Sequence, residues 1–201
     1  MTAEVRWFFE DDAPEPICRW FLTHAGEPQP RVDLYLPLFE TDGLGTKLRE
    51  GGTHLELKLR TEQLGPWDLF AGVVGNVERW QKWSMPLVAC DGAALGEGLS
   101  CIEVEKRRRM VTYGLAPDGR AFPAGDDAAA AGCRVELTQV RAAGREWSTL
   151  GFEAFGEEPT LLQALTAAAH AAFGEMELEW KLGVESSCGY PGWLQALTRR
   201  G

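Results

Sequence analysis

The sequence predicts an α+β fold: an antiparallel, tunnel-like β-barrel with helices packed outside it. Three observations predict it. Several short segments alternate apolar and polar residues strictly, helical spacing occurs only between or after them, and their polar faces mix Lys, Arg and Glu opposite an aliphatic row. Strict alternation marks a half-buried strand, because successive side chains of a strand point to opposite faces.

Taken in order, Ala3 to Phe9 is rich in valine and aromatics and reads as a strand. Asp11 to Pro16 breaks it, and Ile17, Trp20, Phe21 and His24 recur at helical spacing up to the turn residues Gly26 to Pro30. Arg31 to Pro37 alternates, with Val32, Leu34 and Leu36 on one face and Arg31, Asp33 and Tyr35 on the other. Thr46 to Glu50 continues that habit and puts Lys47 and Arg49 together; Gly51-Gly52 is a hairpin turn. Leu55 to Arg60 is the clearest strand, with Leu55, Leu57 and Leu59 on one face and Glu56, Lys58 and Arg60 on the other; Leu57 and Leu59 are expected to pack against helices and Lys58 and Arg60 to face inward. Residues 61–90 are less regular, and Val73, Val74, Val77, Trp80 and Trp83 are spaced for a helix. Ser100 to Tyr113 is a long strand whose inward pair is either Lys106 and Arg108 or Arg107 and Arg109. Pro117-Asp-Gly119 marks a turn, and Gly125 to Gly132 an alanine-rich loop. Arg134 to Val140 and Trp147 to Phe155 are strands joined by a turn at Ala142 to Gly144. Pro159 to Phe173 is helical by its alanine and leucine content, and Gly189-Tyr-Pro-Gly-Trp-Leu is a turn followed by a short helix. Most of the eight tryptophans should anchor helices to the outside of the barrel.

Composition narrows the class. The chain has 201 residues, 45% hydrophobic and 25% charged, with no linker or repeat, and is expected to form a single domain over residues 1–201. No run approaches the ~18 apolar residues of a membrane span, and the acidic N-terminus lacks the features of a secretory signal, so a cytoplasmic protein without a membrane partner is expected. The net charge of −10 argues against nucleic-acid binding, which requires clustered cations, but leaves room for a small anionic ligand. Five scattered cysteines form no C-x-x-C pair and read as reduced packing residues. His24, His54 and His170 are isolated, no serine lies in G-x-S-x-G, and Gly43-Leu-Gly-Thr-Lys47 lacks the spacing of a phosphate loop.

A solvated outer face is the ordinary explanation of a charged strand face. Here the pattern repeats: Lys47 with Arg49, Lys58 with Arg60, Lys106 with Arg108, and Glu136 all oppose an aliphatic row. Adjacent strands with matching mixed-charge faces suit a barrel with a polar lumen.

The order of these segments resembles the CYTH superfamily, the triphosphate tunnel metalloenzymes. The resemblance rests on Glu4-Val-Arg-Trp-Phe, Val32-Asp-Leu-Tyr-Leu, Lys47-Leu-Arg49, Leu55-Glu-Leu-Lys-Leu-Arg60, Glu105-Lys-Arg-Arg-Arg109, Val135-Glu-Leu-Thr-Gln-Val140, Leu150-Gly-Phe-Glu-Ala-Phe155 and Gly189-Tyr190. It implies an eight-stranded antiparallel tunnel that binds a triphosphate or another polyanionic phosphate compound. Lys47, Arg49, Lys58, Arg60, Lys106 and Arg108 would then face phosphate, with Arg6 beside them. Glu4, Glu56 and Glu153 would be the candidate ligands for Mg²⁺ or Mn²⁺, and Glu136 and Glu153 the candidate catalytic carboxylates. Any of these glutamates could equally be the counter-charge of a neighbouring arginine. The chain departs from the family where the metal would sit. Arg6 stands for the second glutamate of Glu-x-Glu-x-Lys, Phe8 for the lysine, and Gly151 for the first glutamate of the late Glu-x-Glu pair. A reversed charge at Arg6 should weaken cation binding while keeping an anion site. Three functions follow as expectations: a metal-dependent triphosphate hydrolase, an anion-binding module without hydrolysis, or a structural barrel. Dimerisation is left open.

Overall fold

The computed structural model describes residues 1–36, 38, 40–87, 101–125, 129–176 and 181–199. Cys90, Trp180 and the middle of the alanine-rich loop fall outside them. The elements are β1 (Thr2–Glu10), α1 (Glu15–His24), β2 (Gln29–Tyr35), β3 (Leu44–Arg49), β4 (His54–Phe70), β5 (Val73–Pro86), β6 (Ile102–Leu115), β7 (Ala121–Ala124), β8 (Gly132–Ala142), β9 (Arg145–Phe155), α2 (Leu161–Glu175) and α3 (Tyr190–Arg199).

The named strands pair antiparallel throughout, in the order β2-β3-β4-β5-β1-β9-β8-β6-β7. Pairing of β2 with β6, from Gln29 opposite Arg108 to Tyr35 opposite Ile102, joins the ends. Eight strands therefore form a closed barrel, and β7 extends β6 where β2 has ended. Closure gives each of the eight strands a partner on both sides, although β1 meets β5 only over Thr2–Glu4 and β2 meets β3 only at Leu34 and Tyr35.

Register then fixes which residues share the interior. Glu4 lies across from Glu78 on one side and Glu153 on the other. Arg6 lies across from Gly151, which in turn faces Glu136. The odd residues of β1 point outward: Ala3, Val5 and Trp7 are fully or almost fully buried with Val135, Leu137, Leu150 and Phe152 beneath α2. Helix α2 presents Leu161, Ala164, Leu165, Ala168, Ala169, Ala172 and Phe173 at i, i+3, i+4 spacing, and its alanines let the backbone lie close to the sheet. Trp7 meets Phe152 and Phe173 edge-on, and a Cβ at Gly75 would sit 2.4–2.5 Å from Val5 and Trp7, so β5 needs glycine there. Burying each large apolar side chain of this layer is worth about 1.5–3 kcal/mol. From the buried face of α1, Trp20 Nε1 donates to Glu175 at 2.9 Å, tying α1 to α2.

The helix expected over residues 73–83 is instead strand β5. Its apolar residues fall on both faces because Trp80 is part of the lumen wall while Val73 and Val77 belong to the outer core. Leu57 and Leu59 point away from the lumen as expected but do not pack under helices. Helix α2 covers β9, β8, β1 and part of β4, whereas Leu59 remains 42% exposed. The tryptophans also divide differently. Trp7 and Trp20 anchor helices, but Trp80, Trp147 and Trp193 are buried on the inner side or at its end, and Trp83 is exposed. The hairpin at Gly51-Gly52 forms as read, both glycines with positive φ (67° and 92°). The four described cysteines are unbridged. Among the described residues, no helix is long and apolar enough to cross a membrane.

Candidate functional site

The barrel interior is apolar at one end and charged elsewhere. At the apolar end α3 lies across the opening, burying Trp193, Leu194 and Leu197 against Phe8, Tyr35, Val104, Val140, Ala142 and Trp147. Phe8, at the position where lysine was expected, stacks on Trp193 with centroids 4.9 Å apart and an interplanar angle of 9°. A lysine there would bury its charge among aromatics. The first residue of α3, Tyr190, turns its ring toward the charged region. Lys106 Nζ is 3.8 Å and the Arg6 guanidinium 4.9 Å from its centroid, a cation–π arrangement that holds both cations at the floor.

Above this floor, carboxylates space the cations. Asp33 on β2 is fully buried and accepts from Lys106 (2.8 Å), Arg31 (2.9 Å) and Lys47 (3.3 Å), with Arg49 Nε at 3.8 Å. Burial alone would raise its pKa, but Lys106, Lys47 and Arg31 hold it well below the usual carboxylate range. Glu56 takes Lys47 at 2.9 Å and Arg49 at 2.8 Å; those cations overcome burial and set its carboxyl at about 2. Glu136 is shared by Arg6 at 3.1 Å and Arg108 at 3.3 Å, and despite burial it too is lowered to about 2. Arg6 also donates to Thr149 at 2.6 Å. Burial opposes its charge, yet Glu136, Tyr190 and Glu4 outweigh burial and raise its pKa further.

Toward the exposed side, Lys58 donates to Glu4 at 2.5 Å, and Arg134 lies 3.9 Å from Glu153. Glu4 and Glu153 face each other across β1 and β9, so the Glu153 carboxyl is raised, first by Glu4 and then by burial. Lys58 stands directly across from Lys82. Like charges at opposed strand positions are destabilising. Among the described residues, no carboxylate lies within ion-pair distance of Lys82.

The cavity bounded by these groups has a volume of about 310 Å³ and is lined by nine Lys and Arg but only five Glu. That excess of cations occurs in a chain whose net charge is −10. Of the residues singled out from sequence, Glu4, Arg6, Lys47, Arg49, Glu56, Lys58, Lys106, Arg108, Glu136 and Glu153 all line it. The ambiguous strand resolves in favour of Lys106 and Arg108, while Arg109 points outward and donates to the Gly26 carbonyl. Arg60 is not in the lining: its guanidinium is bidentate on Asp42 (2.7 and 3.1 Å) and also bonds Glu78 at 2.7 Å. Sequence reasoning missed Glu78, Lys82, Arg31, Arg134 and the organising role of Asp33. Arg31 and Asp33 were visible in the β2 alternation, whereas Glu78 and Lys82 were hidden by the helical reading of β5.

As to metal ligands, Glu4 and Glu153 are a neighbouring carboxylate pair, and Glu56 is separated from them by its own cations. Among the described residues, no three His, Cys, Asp or Glu side chains come together as a metal-holding group.

No known protein family matches the sequence, and no curated protein matches it. Solved structures do. The PH1819 protein of Pyrococcus horikoshii is 12% identical, with all of both chains covered and a TM-score of 0.51. The PH1012 protein of the same organism is 16% identical over 98% of this chain and 99% of its own, with a TM-score of 0.50. A "putative adenylate cyclase" of Bacillus halodurans is 13% identical over 92% and 98%, with a TM-score of 0.42, too distant to carry an argument. At these identities the two Pyrococcus likenesses establish a shared fold and nothing of function.

Proposed function

We propose that the chain is a CYTH-like tunnel protein that binds a triphosphate or another small polyanionic phosphate compound. The observation carrying this reading is the convergence of nine Lys and Arg on one 310 Å³ cavity against five Glu and the buried Asp33, within a strongly acidic chain. A structural barrel would be expected to balance its internal charges, because unpaired buried charge is costly. Here Lys82, exposed at the mouth and directly across from the Glu4-paired Lys58, adds positive charge that an entering anion would meet. Arginines and lysines already fixed by Asp33, Glu56 and Glu136 are pre-organised, so little side-chain freedom remains to be lost on binding.

A second reading, metal-dependent hydrolysis of that ligand, is favoured by the Glu4–Glu153 pair, two adjacent carboxylates beside the cations.

Titrating the protein with sodium tripolyphosphate while following thermal denaturation tests the reading. Ligand at a hundredfold over its dissociation constant contributes about 2.7 kcal/mol, or about 5–10 °C in a chain of this length. Lys58→Ala combined with Lys82→Ala should remove most of the shift. An unchanged melting temperature at millimolar ligand would leave the structural barrel as the better account. Phosphate release with Mg²⁺ or Mn²⁺, assayed alongside, separates hydrolysis from binding.

A further inference from the structure

We infer that the Arg6 guanidinium takes the place a divalent cation would hold, so that the tunnel receives its polyphosphate as the free anion, without Mg²⁺ or Mn²⁺. The inference rests on the anion-binding reading above and specifies the ionic form of the ligand.

Arg6 and Gly151 are a matched pair. They are directly opposed on β1 and β9, and a Cβ built on Gly151 would lie 2.5 Å from Arg6 Nη2, 2.6 Å from Cζ and 2.9 Å from Nη1. Atoms that close must move, so the guanidinium occupies the volume a side chain at position 151 would need. A carboxylate at 151 and an arginine at 6 could not keep these positions together. Glycine at 151 is therefore the steric counterpart of the guanidinium at 6, and the interior is built around a fixed cation.

The surrounding contacts anchor that cation. Glu136 at 3.1 Å, Thr149 at 2.6 Å and the Tyr190 ring at 4.9 Å hold three sides of the group, and its side chain is only 15% exposed. Glu136 is also shared with Arg108, and Glu4 is bonded by Lys58 and Thr2. A metal would have to displace these partners one by one and, among the described residues, would still find no group of three ligating side chains. For a phosphate oxygen the arrangement serves the same end as a metal among carboxylates. It presents positive charge where the anion arrives, with planar N–H donors in a fixed orientation. Magnesium bound to the ligand would cancel charge that the nine Lys and Arg of the lining are placed to meet.

Calorimetric titration with tripolyphosphate, once in EDTA and once with excess Mg²⁺, decides the matter on the unaltered protein. Binding in EDTA as tight as with Mg²⁺, or tighter, is the expected result, and binding only with Mg²⁺ or Mn²⁺ would overturn the inference. No binding under either condition would instead remove the anion-binding reading, and this inference with it. Arg6→Gln should weaken binding in EDTA by about tenfold or more, since a charge-assisted contact is lost. An Arg6→Gln protein that folds and binds as the natural protein does would equally refute the role. Manganese electron paramagnetic resonance gives a readout independent of that variant: free Mn²⁺ should stay unbound by the tunnel at micromolar concentration.

Discussion

Replacing Asp33 by Asn removes one negative charge and almost no volume at the point where Lys106, Arg31 and Lys47 converge within 3.3 Å. Asp33 is fully buried and the Lys106 side chain is 2% exposed, so water cannot make up the lost charge. Breaking a buried ion pair by removing one partner costs about 3–5 kcal/mol. Asn keeps one acceptor oxygen, which places the expected loss near the lower end, about 3 kcal/mol, or about 6–12 °C in melting temperature for a chain of this size. The same substitution leaves the cations lining the cavity without their internal counter-charge. Tripolyphosphate should therefore raise the melting temperature of Asp33→Asn by more than it raises that of the natural protein. The pH dependence has a definite sign. A carboxyl whose folded pKa is depressed contributes stability that is present above its ordinary value near 4 and is lost as pH falls toward the folded value. The natural protein should lose this contribution on acidification below about pH 4, and Asp33→Asn should lack that part of the slope. Circular-dichroism melts of both proteins between neutral and acid pH, with and without ligand, supply all three comparisons. A drop of less than about 2 °C at neutral pH, or an equal ligand shift in both proteins, would refute the view of Asp33 as the internal counter-ion.

Two further outcomes are expected. Gly151→Ala should destabilise the protein by about 1–3 kcal/mol because its Cβ meets the Arg6 guanidinium, and combining it with Arg6→Met should cost less than the sum of the single changes. Urea denaturation of the four proteins reads that coupling, and strict additivity would place Arg6 elsewhere in solution. Glu153, whose carboxyl is raised chiefly by Glu4, binds its proton more tightly folded than unfolded. The stability it withholds at neutral pH should return as pH falls through its folded pKa toward the ordinary carboxylate range, and Glu153→Gln should flatten that segment of the profile, as melts across pH can show.

Much of this architecture was legible because its strands are two-faced. Leu55-Glu-Leu-Lys-Leu-Arg60 separates aliphatic from charged residues without exception, and so reports a strand, its faces and a polar lumen together. The same rule failed at β5, where Trp80 belongs to the lumen and Val73 and Val77 to the outer core. Apolar residues on both faces erase the alternation, and the remaining spacing resembles a helix. Arg60 shows a different gap. Its strand position was readable, but Asp42, which draws its guanidinium aside, lies in a connection whose path no periodicity encodes. For Leu59 the face was right and the cover was not, because where α2 ends across the barrel depends on the tertiary arrangement.

Strand β1 has its neighbours at β5 and β9, so Val5 faces Phe152 on a partner that the chain reaches only after most of the barrel has been made. Until then Ala3, Val5 and Trp7 belong to a strand with at least one open edge, an invitation to pair with another nascent chain. Ring closure between such distant segments is a slow step, since the entropy of closing long loops must be spent before the contacts form. The acidic run Glu10-Asp11-Asp12 at the end of β1 keeps charge beside that waiting edge, where like-charge repulsion between chains opposes premature association during synthesis.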